Sequence, residues 1–286
     1  MRFPDRSHRL LAAGALAAAL GAGALGCASS PAAGAPSARG ARALPERNSA
    51  IDAAAQPTDA QRRARMHYEV AIDRMRAGRN PEAIGELLQG VRLDPADPHI
   101  RLALAEAYRR GGRNAEAEQH LRAALELDPA FQSAHLNLSG LYIQIERYEE
   151  AIGHLQYLLD DPTFPYPWRA LTNLGWAEYK LGRFEQAAGH LRLALDYKSD
   201  YWPARLNLGI LAADRGDRDQ AVDHFEQVLE AAPGPLAEAE ARYRLAELYV
   251  AMGDKRRAIA QLQKASDLRP SGPWGKRSAE YLHSLQ

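Results

Sequence analysis

Residues 102–129 read LALAEAYRRGGRNAEAEQHLRAALELDP, and this stretch decides the fold. Two segments rich in good helix formers flank Gly111-Gly112, and Pro129 closes the second. A glycine turn between two such segments, with a proline after the second, predicts an antiparallel helix pair. Leu104-Ala105 on the first segment and Ala117 with Leu121 on the second have a shared logic. Small residues let two helix backbones approach, and the leucines fill the space beside the crossing.

The same arrangement extends in both directions. Alanines recur at Ala83, Ala117, Ala151, Ala187, Ala221 and Ala258, at intervals of 34, 34, 36, 34 and 37. Four residues after each stands Leu87, Leu121, Leu155, Leu191, Phe225 or Leu262. Thirteen residues before each begins an apolar–small pair: Val70-Ala71, Leu104-Ala105, Leu138-Ser139, Leu174-Gly175, Leu208-Gly209 and Leu245-Ala246. Glycine marks the turn at Gly78, Gly112, Gly182, Gly216 and Gly253, and Glu146 replaces it in the third unit. Prolines close four units at Pro95, Pro129, Pro233 and Pro270, with Thr163 and Ser199 in the other two. A period of this length marks a solenoid, in which no unit can bury its apolar face alone. The pattern resembles the tetratricopeptide repeat (TPR). The resemblance implies an all-α, right-handed superhelical solenoid of about six repeats, near 64–97, 98–131, 132–165, 168–201, 202–235 and 239–272. Residues 273–286, with Tyr281, Leu282 and Leu285 on one face, are expected to form a C-terminal capping helix. Thr58 is a candidate N-cap for the first helix, so the repeat domain is expected to span 58–286.

Composition agrees with this class. Ala, Leu, Arg and Glu dominate, which favours helix over sheet. Lys and Arg total 36 and Asp and Glu total 36, so the basic excess of a nucleic-acid binder is missing. The single cysteine, Cys27, excludes an internal disulfide framework and a cysteine-rich metal site.

Residues 1–26 carry Arg2, Arg6 and Arg9 ahead of an uncharged run from Leu10 to Leu25, the layout of a secretory signal peptide. The run is less apolar than a membrane span, which needs about 20 strongly apolar residues. Ala24-Leu25-Gly26-Cys27 resembles the lipobox of bacterial lipoproteins, although Ala24 stands where Leu is commoner. That resemblance implies cleavage before Cys27 and lipidation of its thiol; an ordinary signal peptide with an incidental cysteine is the alternative. Ala28 and Ser29 lack the aspartate that, in enteric bacteria, retains lipoproteins at the inner membrane. The outer membrane, periplasmic face, is therefore the expected location. Residues 27–57, rich in Ala, Pro, Ser and Gly, are expected to act as a tether too polar to form a core.

With six repeats assigned, no stretch remains for a catalytic domain, and neither catalysis nor a cofactor is expected. His120, His154, His190 and His224 share one repeat position, with Glu86 and Gln261 in the first and last units. Such a ladder could answer to pH or metal. A structural zinc site wants four ligands and no carboxylate or cysteine recurs with the ladder, so no metal is expected. In TPR proteins the first helix of each pair meets the ligand. Asn137, Asn173 and Asn207 occupy one equivalent position there, where amides can grip an extended peptide or bond their own helices. The inner face is also expected to present Tyr68, Ile72, Leu102, Leu136, Ile143, Thr172, Trp176, Tyr179, Leu206 and Ile210. An apolar concavity of this kind suits an amphipathic helix or apolar strand.

The connector after the third repeat, Asp160-Asp161-Pro162-Thr163-Phe164-Pro165-Tyr166-Pro167-Trp168, runs into Asn173-Leu174-Gly175. Lipobox, six repeats and this junction together resemble the type IV pilus biogenesis lipoproteins, the secretin pilotins, which include the social-gliding lipoproteins of myxobacteria. The resemblance implies binding of outer-membrane secretin subunits, attachment to the membrane through the lipid anchor, and promotion of secretin multimerisation. The long Ala/Pro tether departs from that family. A periplasmic TPR adaptor for proteases or cell-wall enzymes is the alternative, as is a regulatory subunit of a glycan- or peptidoglycan-modifying enzyme.

Overall fold

The computed structural model describes residues 56–231 and 233–285. The expected signal peptide, Cys27 and all but the last two residues of the expected tether lie outside them. Among the described residues the chain forms thirteen helices and no strand. They are α1 (Asp59–Arg76), α2 (Asn80–Leu93), α3 (Pro98–Arg110), α4 (Asn114–Leu127), α5 (Gln132–Gln144), α6 (Tyr148–Asp160), α7 (Pro167–Lys180), α8 (Phe184–Tyr197), α9 (Trp202–Asp214), α10 (Arg218–Glu230), α11 (Pro235–Ala251), α12 (Lys255–Leu268) and α13 (Pro273–Leu285). None is long and apolar enough to cross a membrane.

Local sequence explains where the helices start and stop. Thr58 caps α1 through a capping box: the Gln61 N–H donates to Thr58 Oγ1 (3.2 Å), and the Thr58 N–H to Gln61 Oε1 (2.9 Å). The first helix of every pair ends at a residue with positive φ. These are Gly78 (73°), Gly112 (73°), Gly182 (76°), Gly216 (84°), Gly253 (80°) and, in the third pair, Glu146 (62°). The next N–H then reaches back five residues, as in Arg79 N to Arg74 O (2.8 Å) and Arg147 N to Tyr142 O (2.8 Å). This Schellman closure demands the left-handed conformation, which glycine adopts without Cβ strain. Glu146 makes the same bonds at a steric cost.

The repeat positions form the core. Ala83, Ala117, Ala151, Ala187, Ala221 and Ala258, and the residues four after them, are at most 2% exposed. Leu104, Leu138, Leu174, Leu208 and Leu245 are buried as well, whereas Val70 is 42% exposed. Val70 belongs to the first pair, which has no preceding pair to cover it.

Each helix packs on its neighbours in sequence. In addition, α1 touches α3, α3 touches α5, and the series continues through α7, α9 and α11 to α13, while the second helices of the pairs do not touch one another. First helices therefore line the tighter, inner side of the curve. The cap α13 stands against α11 and α12 where a seventh first helix would begin, with Tyr281, Leu282 and Leu285 on the core. The expected all-α TPR solenoid with its terminal helix is the fold observed.

Candidate functional site

The inner side is built by α1, α3, α5, α7, α9 and α11, and it is less open than the sequence suggests. Tyr68, Ile72, Leu102, Asn137, Ile143, Asn173 and Tyr179 are half-buried there. Leu136, Trp176, Asn207 and Ile210 are buried, as are Thr172 and Leu206. Trp176, Leu206 and Ile210 share one cluster, with Ile143 and Tyr179 packed against it. The three buried side chains fill the seam between successive inner helices instead of facing solvent. The expectation that Leu136, Trp176, Asn207 and Ile210 are exposed groove residues is corrected accordingly, because close approach of neighbouring first helices closes over them.

The three asparagines do not present a uniform row. Asn137 Nδ2 donates to the Ser133 carbonyl of its own helix (2.8 Å). Asn207 is 3% exposed, and its Oδ1 has no hydrogen-bond partner among the described residues. Of the three, Asn137 and Asn173 keep accessible surface.

Polar and aromatic groups concentrate toward the C-terminal half of the inner side. The Tyr179 hydroxyl on α7 donates to the Asp214 carboxylate on α9. Burial and that carboxylate push the phenol well above its ordinary range. Trp176 lies 5.0 Å from Tyr179, ring to ring, and the Lys180 ammonium 5.9 Å from the Trp176 ring. Further along, Arg244 lies 4.0 Å from Glu240 and 3.3 Å from Glu247, all on α11. Sequence reading missed this cluster. Its signal was present, since Glu240, Arg244 and Glu247 recur at three- and four-residue spacing on one inner helix.

Five of the six residues at the ladder position make separate contacts within their own helix pairs. Glu86 accepts from His67 (2.8 Å); His120 stacks on Tyr108 (5.5 Å between centroids); His190 Nδ1 meets the buried Glu178 carboxylate (2.7 Å); Gln261 accepts from Arg242 (2.9 Å). His154 Nδ1 lies 2.8 Å from His135 Nδ1, and His135 Nε2 lies 3.0 Å from the Pro129 carbonyl. A neutral His135 that donates from Nε2 to that carbonyl must accept at Nδ1, which makes His154 the donor. Burial holds His120, His154 and His224 below the ordinary histidine range, helped at His154 by His135 and at His120 and His224 by nearby arginines. No group of three or more His, Cys, Asp or Glu among the described residues is placed to hold a metal ion.

Four tetratricopeptide-repeat models match the chain, at residues 68–130, 109–174, 168–192 and 203–271. No curated protein matches it. Among solved structures it is similar to PilW, described as a widely conserved type IV pilus biogenesis factor. That likeness has a TM-score of 0.67 and 21% identity over 75% of this chain and 97% of PilW. PilF of Pseudomonas aeruginosa gives 0.63 and 17% identity, over 78% of this chain and 100% of PilF. A thermophilic TPR protein of Thermus thermophilus gives 0.58 and 26% identity, over 65% of this chain and 100% of that protein.

Proposed function

This chain belongs to the tetratricopeptide-repeat family, and on that premise we propose that it is a non-catalytic scaffold, lipid-anchored through Cys27 to the outer membrane, whose client is a type IV pilus secretin. The observation that carries the reading is a lipobox-like Ala24-Leu25-Gly26-Cys27 set ahead of a six-pair solenoid. The likeness of that solenoid to PilW and PilF, over nearly the whole of each, accords with it.

The mechanism requires no bond chemistry. Half-buried inner-side residues such as Tyr68, Ile72, Leu102 and Ile143 offer apolar contact to a secretin segment. Acyl chains on Cys27, each methylene contributing about 0.8 kcal/mol when buried, hold the complex on the bilayer. Binding and anchoring together raise the concentration of secretin subunits at one surface, so that multimerisation is favoured without new contacts between them.

The test is deletion of the gene in its host, with membrane fractions probed for heat- and detergent-resistant secretin multimers. Loss of multimers, restored by the wild type and poorly by Cys27→Ala, is the expected result. Normal multimers and pili in a deletion strain without a redundant paralogue would overturn the secretin reading and leave a TPR adaptor for another client.

A further inference from the structure

The third helix pair sets two imidazoles against each other. His154 on α6 and His135 on α5 stand Nδ1 to Nδ1 at 2.8 Å, and His135 Nε2 lies 3.0 Å from the Pro129 carbonyl. The other ladder histidines have different surroundings. His120 in the second pair meets the Tyr108 ring, and His190 in the fourth meets the Glu178 carboxylate. His224 Nδ1 in the fifth has no hydrogen-bond partner among the described residues. His135 is 8% exposed, with the Tyr157 ring stacked on it at 4.2 Å, so a hydrogen bond lost there is costly.

The effect of acid follows from where protons can go. With one Nδ1 hydrogen between the rings, His154 donates and His135 accepts. A first added proton enters at His154 Nε2 and leaves that bond intact. A second can enter only at His135 Nδ1, because Nε2 already holds the hydrogen given to Pro129. Two N–H donors then face each other without an acceptor, and two positive charges share one site. The surroundings do not offset this. Burial, His135 and Arg122 of α4 hold His154 below the ordinary histidine range, against the pull of Glu150 of α6. Glu150 is itself paired with Arg147. Tyr142 of α5 and Tyr157 of α6 present neutral rings, and no charged group of α3 or α7 acts on His154 among the described residues. In the fourth pair the sign is reversed, since a proton on His190 adds a charge-assisted bond to Glu178.

The same pair closes on a strained turn. Glu146 stands at φ 62° where the other five pairs have glycine, so the α5–α6 closure has less stability in reserve. Each pair packs only on its neighbours, and loosening the third divides the first two from the last three.

We infer that the His135–His154 contact is a pH-operated latch, which holds α6 on α5 while the two imidazoles share one Nδ1 hydrogen and releases it when acid charges both. The latch goes beyond the scaffold reading and requires no client.

Two measurements on the mature protein in detergent test it. Long-range proton–nitrogen NMR at about pH 7.5, above the ordinary histidine range, should show His154 as the Nδ1–H tautomer and His135 as the Nε2–H tautomer. Hydrogen exchange, corrected for the intrinsic effect of pH, should show the opening of α5–α6 rising about tenfold per pH unit once the second proton is required. No such rise is expected in α7–α8. His135→Gln and His154→Gln should each keep the pair closed and remove the rise, because a carboxamide donates and accepts but takes no proton. His120→Gln should leave the rise unchanged. Nε2–H tautomers at both residues, an opening of α5–α6 indifferent to pH, a rise shared equally by α7–α8, or one that survives both substitutions in the pair would overturn the latch.

Discussion

Gly209→Ala tests how the fifth helix pair is packed. A Cβ built at Gly209 would lie 2.6, 2.9 and 3.0 Å from Cε1, Cδ1 and Cζ of Phe225, a ring that is 0% exposed. Carbon atoms rest at about 3.5–4.0 Å, so the ring must retreat where no space exists. Three such contacts put the overpacking cost near the upper end of its usual range, about 3 kcal/mol. Replacing a helical glycine by alanine returns about 1 kcal/mol, leaving a net loss of about 2 kcal/mol. Three other pairs already hold alanine opposite leucine: Ala71 with Leu87, Ala105 with Leu121, Ala246 with Leu262. Phe225→Leu alone should cost about 1–2 kcal/mol through lost burial, but the double variant recreates that tolerated pair. It should be no less stable than Phe225→Leu, giving a favourable coupling of about 2 kcal/mol, within the range seen for contacting residues. Urea unfolding of all four proteins by circular dichroism, with hydrogen exchange in α9 and α10, measures the cycle. Additivity within about 0.5 kcal/mol, or a neutral Gly209→Ala, would refute the reasoning.

Glu146→Gly relieves a non-glycine residue at φ 62° in the turn between α5 and α6. The left-handed penalty of about 1–2 kcal/mol exceeds the added chain entropy of glycine, about 0.5–1 kcal/mol, so stability should rise by roughly the difference. Calorimetry should show a Tm raised by a few degrees; an unchanged or lower Tm would contradict this. Glu240 carries a folded-state carboxyl at about 7 against an ordinary 4.5. Its contribution to stability is full below pH 4.5 and is lost as pH rises through 7. Glu240→Gln should therefore match the wild type near pH 4 and exceed it by about 3 kcal/mol at pH 8, and parallel pH profiles of the two proteins would refute that assignment. His120, His154 and His224 are shifted the opposite way, below the ordinary 6.5. Their contribution is present above 6.5 and lost as pH falls toward the folded-state values. Replacing all three with Gln, the residue at position 261, should flatten the loss of thermal stability below pH 6.5, and an unaltered acid limb would argue against it.

The repeat was legible because its signals are local or nearly so. Alanine and leucine four residues apart share one face of a helix, and a glycine turn fixes the antiparallel partner within 34 residues. Even the exception at position 146 could be seen, although only the backbone reveals that glutamate is forced into the glycine conformation. The functional face was less legible. Whether Trp176 or Asn207 meets solvent depends on how closely α5, α7, α9 and α11 approach, a distance set by side chains in four successive repeats. Four histidines at one repeat position looked alike in sequence, yet three of them meet different residues on their own first helices: Tyr108, His135 and Glu178.

By itself, then, the order of residues determined the helix pairs, their turns and the capping helix, since each follows from spacing within a few dozen residues and from backbone preference. Tertiary structure alone decided which inner residues are sealed in the seams, which imidazole has which partner, and that Glu240 and Arg244 meet Trp274 across α12. Those outcomes depend on contacts between helices separated in the chain, where burial and charge act on positions that no periodicity distinguishes.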